Sequence, residues 1–344
     1  MLRPALAFAL LFAGSTAVQP KVAELDSSQS HRLDFGQTSK MATIRDGVQL
    51  HYLDWQGNGP TVLLLAGLGD TAYIYADTAP LLKQSYRVLA LTRRGYGRSD
   101  VTREGYAIED RVEDIREFCD QLRLSKVILV GHSTAGDELT AFARKYPERV
   151  QGLLYLDAAY DRGDPETPKP HMDAWNTITA QLYGGVSEDQ SYASRDARRR
   201  ALQNLFRMDY GVGWNDALEA NLRETTVENA DGSLSPRAPF WVADAIRKGV
   251  RSTPFEIPSA AIPALLVFAR GRLEDQAVSI GDKQALSTIE RDEDEYQTYF
   301  ENYISRLKSK LPGIRTKILP RDRHYFFLRD PNIISRLLSE LAAK

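Results

Sequence analysis

Apolar runs of strand length alternate with stretches of helical period along most of this 344-residue chain, and that alternation leaves few folds open. Thr61-Val62-Leu63-Leu64-Leu65, Val88-Leu89-Ala90-Leu91, Val127-Ile128-Leu129-Val130 and Leu153-Leu154-Tyr155-Leu156 show no polar alternation. Strands of that kind are covered on both faces. Between them, Ala72 to Leu82, Ile108 to Leu122 and Asp137 to Ala143 read as helices, with Ile108, Val112, Ile115, Cys119 and Leu122 on one face. Strands joined by helices predict an α/β protein with a mostly parallel, doubly wound sheet. Met41–Arg45 and Val48–Trp55 flank Asp46-Gly47 and predict an antiparallel hairpin ahead of it. A strand at Pro263–Phe268, a long helix from Ser279 to Leu311, a strand at Thr316–Leu319 and a helix from Pro331 to Leu341 complete the pattern.

The rhythm stops at Ala158. From 160 to 258 the chain is polar, mostly helical in pattern, and carries Trp175, Tyr183, Tyr192, Phe206, Tyr210, Trp214, Phe240 and Trp241. This stretch is expected to be an inserted helical lid over the carboxyl edge of the sheet, where open α/β sheets bind ligands. Its aromatic residues would line a pocket or form the lid's own small core. The expected division is a signal peptide at 1–17, a flexible leader at 18–38, a core in two parts at 39–159 and 259–344, and the lid between them. The signal reading rests on Arg3, the short apolar run Pro4–Gly14 and the small residues Ser15-Thr16-Ala17. It predicts a secreted or periplasmic protein without stable membrane insertion; an N-terminal anchor is the alternative.

A net charge of −2 argues against nucleic acid as a partner. Arg198-Arg199-Arg200 and the acidic run Glu290–Glu295 read as solvated helix faces. Cys119 is the only cysteine, so no internal disulfide forms, and its place on the apolar stripe predicts a packing role. His31, His51, His132, His171 and His324 show no ligand spacing, and no metal or other cofactor is expected.

The chemistry is concentrated in Gly131-His132-Ser133-Thr134-Ala135-Gly136. An apolar strand enters a tight turn with small residues on both sides of a serine, and a helix leaves it. That pattern predicts a strained, exposed Ser133 with the Thr134 N–H at a helix start, where negative charge is favoured. Ala135 takes the place where a second glycine is commonest. A serine nucleophile needs a base and two donors for the oxyanion. His324, on the loop after the last strand, is the expected base. The Leu68 N–H in Ala66-Gly67-Leu68-Gly69 is the expected second donor beside Thr134.

With Gly67-Leu68-Gly69, Arg94-Gly95-Tyr96-Gly97-Arg98-Ser99, the Ser133 turn and His324, the chain from Ala42 to Ala343, lid excluded, resembles the α/β-hydrolase superfamily in its lidded serine esterase, lipase and peptidase-like branch. It departs from that pattern with Ala66 where His is usual, and with Thr92-Arg93 where an Asp usually stands, which predicts an altered salt-bridge network beneath the site. The resemblance implies a triad acid. Asp157, at the end of Leu153–Leu156, is the expected one; Glu274 or Asp275, after the following strand, is the alternative. It also implies cleavage of a small carboxylic ester, or an amide, through an acyl-enzyme. Carbon–carbon hydrolysis, hydroxynitrile-lyase-like chemistry and a non-catalytic binding module on the same fold stay open. Superfamily members that open epoxides use an Asp nucleophile, and Ser133 argues against that chemistry.

Overall fold

The computed structural model describes residues 33–164, 191–209, 211–257, 262–270 and 283–343. The expected signal at 1–17 and most of the leader lie outside them, as do Trp175, Tyr183, Tyr210, Glu274 and Asp275.

The strands are β1 (Thr38–Thr43), β2 (Gln49–Gln56), β3 (Thr61–Leu65), β4 (Arg87–Leu91), β5 (Val127–His132), β6 (Val150–Leu156), β7 (Thr226–Glu228), β8 (Leu234–Pro236), β9 (Ala264–Ala269) and β10 (Arg315–Leu319). Eight of them form one sheet in the order β1-β2-β4-β3-β5-β6-β9-β10. β1–β2 and β2–β4 pair antiparallel and every other pair is parallel. The hairpin turns on Asp46, which takes a left-handed backbone at φ 58. β1 starts inside the expected leader, and Trp55 Nε1 donates to the Phe35 carbonyl at 3.1 Å.

Strand side chains alternate between two layers. Leu63, Leu65, Leu129 and Leu153 pack under α2 (Ile108–Gln121) and α3 (Ala135–Lys145), against Ile115, Phe118, Leu139 and Phe142. Val62, Leu64, Val130 and Leu154 face Tyr75, Phe327, Leu337 and Leu338 on the other side. Each such side chain contributes roughly 1.5–3 kcal/mol when fully buried. Cys119 sits in the first layer, where burial pushes its thiol up to about 12.

The helix expected over Ala72 to Leu82 is broken. A 3₁₀ turn covers Ala72–Tyr75, and α1 spans only Ala79–Leu82. Pro80 has no N–H for the preceding turn, so a continuous helix cannot pass through it.

In the inserted stretch the described helices are α4 (Arg195–Asp209), α5 (Asp216–Thr225) and α6 (Phe240–Ser252). β7 and β8 form a hairpin around Asp231-Gly232, which the expectation of a mostly helical stretch did not include. These elements meet the loops that follow the carboxyl ends of β3 and β4. Asn221 Oδ1 accepts from the Thr71 N–H at 2.9 Å, and Arg98 Nε pairs with Glu224 Oε2 at 2.9 Å. After β9 come α7 (Lys283–Lys310), α8 (Phe326–Arg329) and α9 (Ile333–Ala342).

Candidate active site

β5 and β6 are neighbours in the sheet, with His132 opposite Leu156. The residue after each strand takes a left-handed backbone: Ser133 at φ 54 and Asp157 at φ 47. Such a conformation costs a non-glycine residue about 1–3 kcal/mol and persists only where its surroundings hold it. Here the Ser133 N–H donates to the Leu156 carbonyl at 3.3 Å, the Gly136 N–H to Ser133 O at 3.0 Å, and the Asp157 N–H to Val267 O at 2.8 Å.

The small residues around Ser133 have separate reasons. A Cβ on Gly131 would lie 2.7 Å from Leu139 Cδ1 and 3.2 Å from the Ala135 carbonyl carbon, because α3 folds straight back onto β5. Gly136 is tighter: its Cβ would lie 1.9 Å from the Ala158 carbonyl oxygen. Backbone cannot give way there as a side-chain tip could. Gly136→Ala is expected to cost at least about 3 kcal/mol, above the usual overpacking penalty, read as a lowered urea midpoint or loss of soluble protein. A wild-type midpoint would contradict this packing.

Asp157 is buried, and its carboxylate is fully engaged. Oδ2 lies 2.7 Å from His324 Nδ1, while Oδ1 accepts from the Ala269 N–H at 3.0 Å and the Tyr160 hydroxyl at 2.6 Å. The backbone of His324 is held from below. Its carbonyl is 3.0 Å from Nε2 of His132, and the two imidazoles lie 4.3 Å apart. His132, to which the sequence assigned no role, lies against the His324 loop. Tyr325, the next residue, donates to Asp70 Oδ2 at 2.8 Å. Asp70 Oδ1 takes the Asn221 amide at 2.8 Å. The His324 loop, the Gly67–Asp70 loop and α5 are thereby joined through one carboxyl. Burial raises that carboxyl above its ordinary range, against the hydrogen bonds of Tyr325 and Asn221.

The Thr92-Arg93 departure resolves into a buried cluster. Arg93 Nη1 lies 2.6 Å from Glu138 Oε1, and Nη2 donates to the Gly67 carbonyl at 2.5 Å. Arg111 also reaches Glu138, and its guanidinium is pulled down to about 9 by burial and then by Arg93. A trans peptide points its C=O and N–H in opposite directions. Fixing the Gly67 carbonyl on Arg93 therefore aims the Leu68 N–H away from the cluster. Among the described residues the Leu68 and Thr134 amides donate to no protein acceptor. Gly67 passes close over the elbow: a Cβ there would be 3.2 Å from Ser133 Cβ. Of the residues expected at the site, the structure brings Asp157 to His324 and sets both beside the Ser133 turn. Tyr160, Asp70, His132 and Glu138 were not foreseen; Arg93 was marked by the Thr92-Arg93 departure, which does not name its partner. Tyr160, three residues after Asp157, and Asp70, next to the Gly-rich loop, also left a local trace.

Two buried histidines tie stability to pH. Burial, helped by Arg98, holds the His51 imidazole down to about 3, and burial with His324 nearby holds His132 well below the ordinary range. Arg98 Nη2 lies 2.9 Å from His51 Nε2, and Thr92 Oγ1 lies 3.0 Å from Nδ1, an arrangement that suits the neutral ring. Below about pH 6.5 the unfolded chain protonates both rings while the folded protein keeps them neutral. The unfolded state then binds more protons, so this stability is present above about pH 6.5 and lost as pH falls toward the folded values. At about 1.4 kcal/mol per unit for each ring, His51 alone accounts for roughly 2–3 kcal/mol by pH 4.5. Tm is expected to fall over that window and to fall less steeply in His51→Gln. An unchanged slope in the variant would remove His51 from the account.

Residues 60–211 match the family model for the α/β hydrolase fold, a span that includes Leu68, Ser133 and Asp157 and ends before His324. The E-2-(acetamidomethylene)succinate hydrolase structure superposes with a TM-score of 0.65 at 20% identity, over 90% of this chain and 100% of that one. The chain has the α/β-hydrolase fold. The Bacillus megaterium epoxide hydrolase structure gives a TM-score of 0.61 at 19% identity over 89% of this chain and 100% of that one. In sequence, bifunctional epoxide hydrolase 2 of Sus scrofa is 32% identical over 48% of the chain, and the chain spans only 30% of that relative's length. The 2-hydroxy-6-oxononadienedioate/2-hydroxy-6-oxononatrienedioate hydrolase of Paraburkholderia xenovorans is 29% identical over 58% of the chain and 70% of the relative.

Proposed function

We propose that this α/β hydrolase cleaves a carboxylic ester, or an amide, through an acyl-enzyme on Ser133. The observation that carries the reading is the 2.7 Å contact of His324 Nδ1 with a buried Asp157, beside a serine held at φ 54. With Nδ1 on Asp157, Nε2 takes the Ser133 proton and returns it to the leaving group. Ser133 Oγ attacks the carbonyl, the Leu68 and Thr134 amides receive the oxyanion, and water attacks the acyl-enzyme by the same route in reverse. The inserted stretch acts as a lid over this edge.

The epoxide hydrolase relatives suggest a different bond. An alkyl-enzyme on a carboxylate is the usual route to epoxide opening in this superfamily, and the elbow residue here is a serine. The Paraburkholderia relative favours a second reading, carbon–carbon hydrolysis, because the chain spans 70% of its length and the same Ser–His pair would serve. A fluorophosphonate probe and a panel of p-nitrophenyl esters separate the readings. Rapid labelling of Ser133 with ester turnover supports the ester hydrolase. Labelling without turnover of any ester points to the second reading, and no labelling leaves a non-catalytic module. Export is part of the same proposal, supported by the Met1–Ala17 pattern. N-terminal sequencing of the processed protein would find it cut after Ala17.

A further inference from the structure

Tyr160 stands just past the end of β6 and takes no step in the chemistry above. Its hydroxyl donates to Asp157 Oδ1 at 2.6 Å, while the other oxygen, Oδ2, faces His324 Nδ1. Two neighbouring elements hold it there. The Tyr303 hydroxyl of α7 accepts from the Asp161 N–H at 3.1 Å and donates to the Ala159 carbonyl at 2.8 Å. One hydroxyl thus clamps the backbone on both sides of Tyr160. The Tyr160 ring meets Phe268 of β9 edge to face, with centroids 5.4 Å apart, and lies close to parallel with the Tyr303 ring. Ala269, next to Phe268, gives the second N–H to Oδ1. Burial, and then the Asp157 charge, raises the Tyr160 hydroxyl well above the ordinary phenol range, so it stays protonated and a donor.

A donor on one carboxylate oxygen draws negative charge toward itself, and its O–H dipole turns its positive end to the pair. The field of Oδ2 at His324 is weaker for it, and the imidazolium is favoured less. Other ionisable groups face the pair from each neighbouring element. His132, at the end of β5, is held neutral by burial, and Asp70, on the loop after β3, carries the Tyr325 and Asn221 hydrogen bonds. Arg93 is engaged by Glu138 and the Gly67 carbonyl, and Arg162 by Asp137 at 2.5 Å. Arg270, after β9, packs on the Tyr296 and Phe300 rings of α7. Among the described residues Asp157 has hydrogen bonds only with Tyr160, Ala269 and His324. Tyr160 is therefore the one side chain besides the base itself that bonds to the acid.

We propose that Tyr160 is a positioning residue: by holding Asp157 and drawing charge off the oxygen that faces His324, it restrains the basicity of the imidazole. His324 is then neutral, and able to act as base, at a lower pH than it would be without this donor. The inference rests on the Ser133 hydrolase reading for its catalytic meaning, but the His324 titration is read without turnover.

Histidine-selective isotope labelling gives a spectrum of five imidazoles, and His324→Gln identifies the His324 signal. Tyr160→Phe keeps the ring and deletes the donor. Its His324 midpoint is expected to rise by about half a pH unit, a roughly threefold gain in proton affinity. The acid limb of kcat/KM on p-nitrophenyl esters is expected to move up with it. Tyr155→Phe separates this effect from loss of a buried hydroxyl alone. Tyr155 lies two residues before Asp157, with its hydroxyl 3.0 Å from Thr140 Oγ1. That variant is expected to lower Tm and to leave the midpoint within about 0.3 unit of wild type. A rise of less than about 0.3 unit in Tyr160→Phe, a fall, or an equal rise in Tyr155→Phe overturns the proposal. Should Tyr160→Phe not fold, a ring-fluorinated tyrosine in place of Tyr160 keeps the shape and is the stronger donor. A lowered midpoint then supports the proposal, and an unchanged or raised one overturns it. Failure of the hydrolase reading looks different: no ester turns over and no fluorophosphonate attaches to Ser133, while the midpoint still decides the role of Tyr160.

Discussion

Ser133→Ala protein is expected to fold normally and to lose kcat on p-nitrophenyl esters by a factor on the order of 10⁶, because nucleophile, base and acid act as one unit. The residual rate over water would come from the oxyanion amides and from binding. Alanine keeps the Cβ, so the strain at φ 54 stays and Tm should barely move. Glycine behaves differently. Ser133→Gly removes the left-handed penalty and should raise stability by about 1 kcal/mol while being equally inactive. The pair of variants separates the chemical role of the hydroxyl from the backbone cost of presenting it. Substantial ester hydrolysis by purified Ser133→Ala would end the serine-hydrolase reading, and a glycine variant less stable than wild type would mean the elbow stores no strain.

Asp157→Asn is expected to lower kcat by about 10⁴ with little change in fold. Asparagine tolerates the left-handed backbone at φ 47, and its carbonyl oxygen can still accept from Ala269 N–H and Tyr160. Its amide then faces His324 Nδ1 in place of an acceptor, which stabilises the tautomer with the proton on the wrong nitrogen. Glu274→Gln and Asp275→Asn are expected to stay within about 0.5 kcal/mol of wild type in stability and close to it in kcat. A large loss in either, with Asp157→Asn near wild type, would move the acid to the residues after β9 and leave Asp157 as a backbone anchor.

The sheet was legible because its information is local. Runs such as Val127–Val130 and Thr61–Leu65 declare burial on both faces by composition alone, and the helices joining them imply a mostly parallel sheet. The Ser133 turn was legible for the same reason: small residues at 131, 135 and 136 mark a tight bend wherever it sits. Within local reach, two signals were underread. Pro80 breaks the helix after Ala72, and Asp231-Gly232 turns a hairpin inside a stretch that reads as helical.

The acid was only partly legible, with Asp157 favoured and Glu274 or Asp275 left open, and the sheet explains why. β6 and β9 are paired in parallel, with Leu156 opposite Val267, so the sequence alone offers a carboxylate beyond the carboxyl end of either strand. Chain order and residue type permit both; the choice rests on where a carboxylate can meet His324, and the backbone turn at Asp157 brings one there. His132, Arg93 and Glu138 belong to the same class. Each is a polar residue in an apolar or basic stretch whose partner lies far along the chain: His324 carbonyl for His132, Gly67 carbonyl for Arg93. Arg198 completes the set, since three successive arginines look alike in sequence and only the packing of α4 turns one of them inward. Periodicity and turn chemistry act over a few residues, so the strands of the main sheet, the elbow and the candidate base were readable from the sequence alone. Buried polar groups must find partners anywhere in three dimensions, so only the tertiary structure decided which side chains hold the site in place.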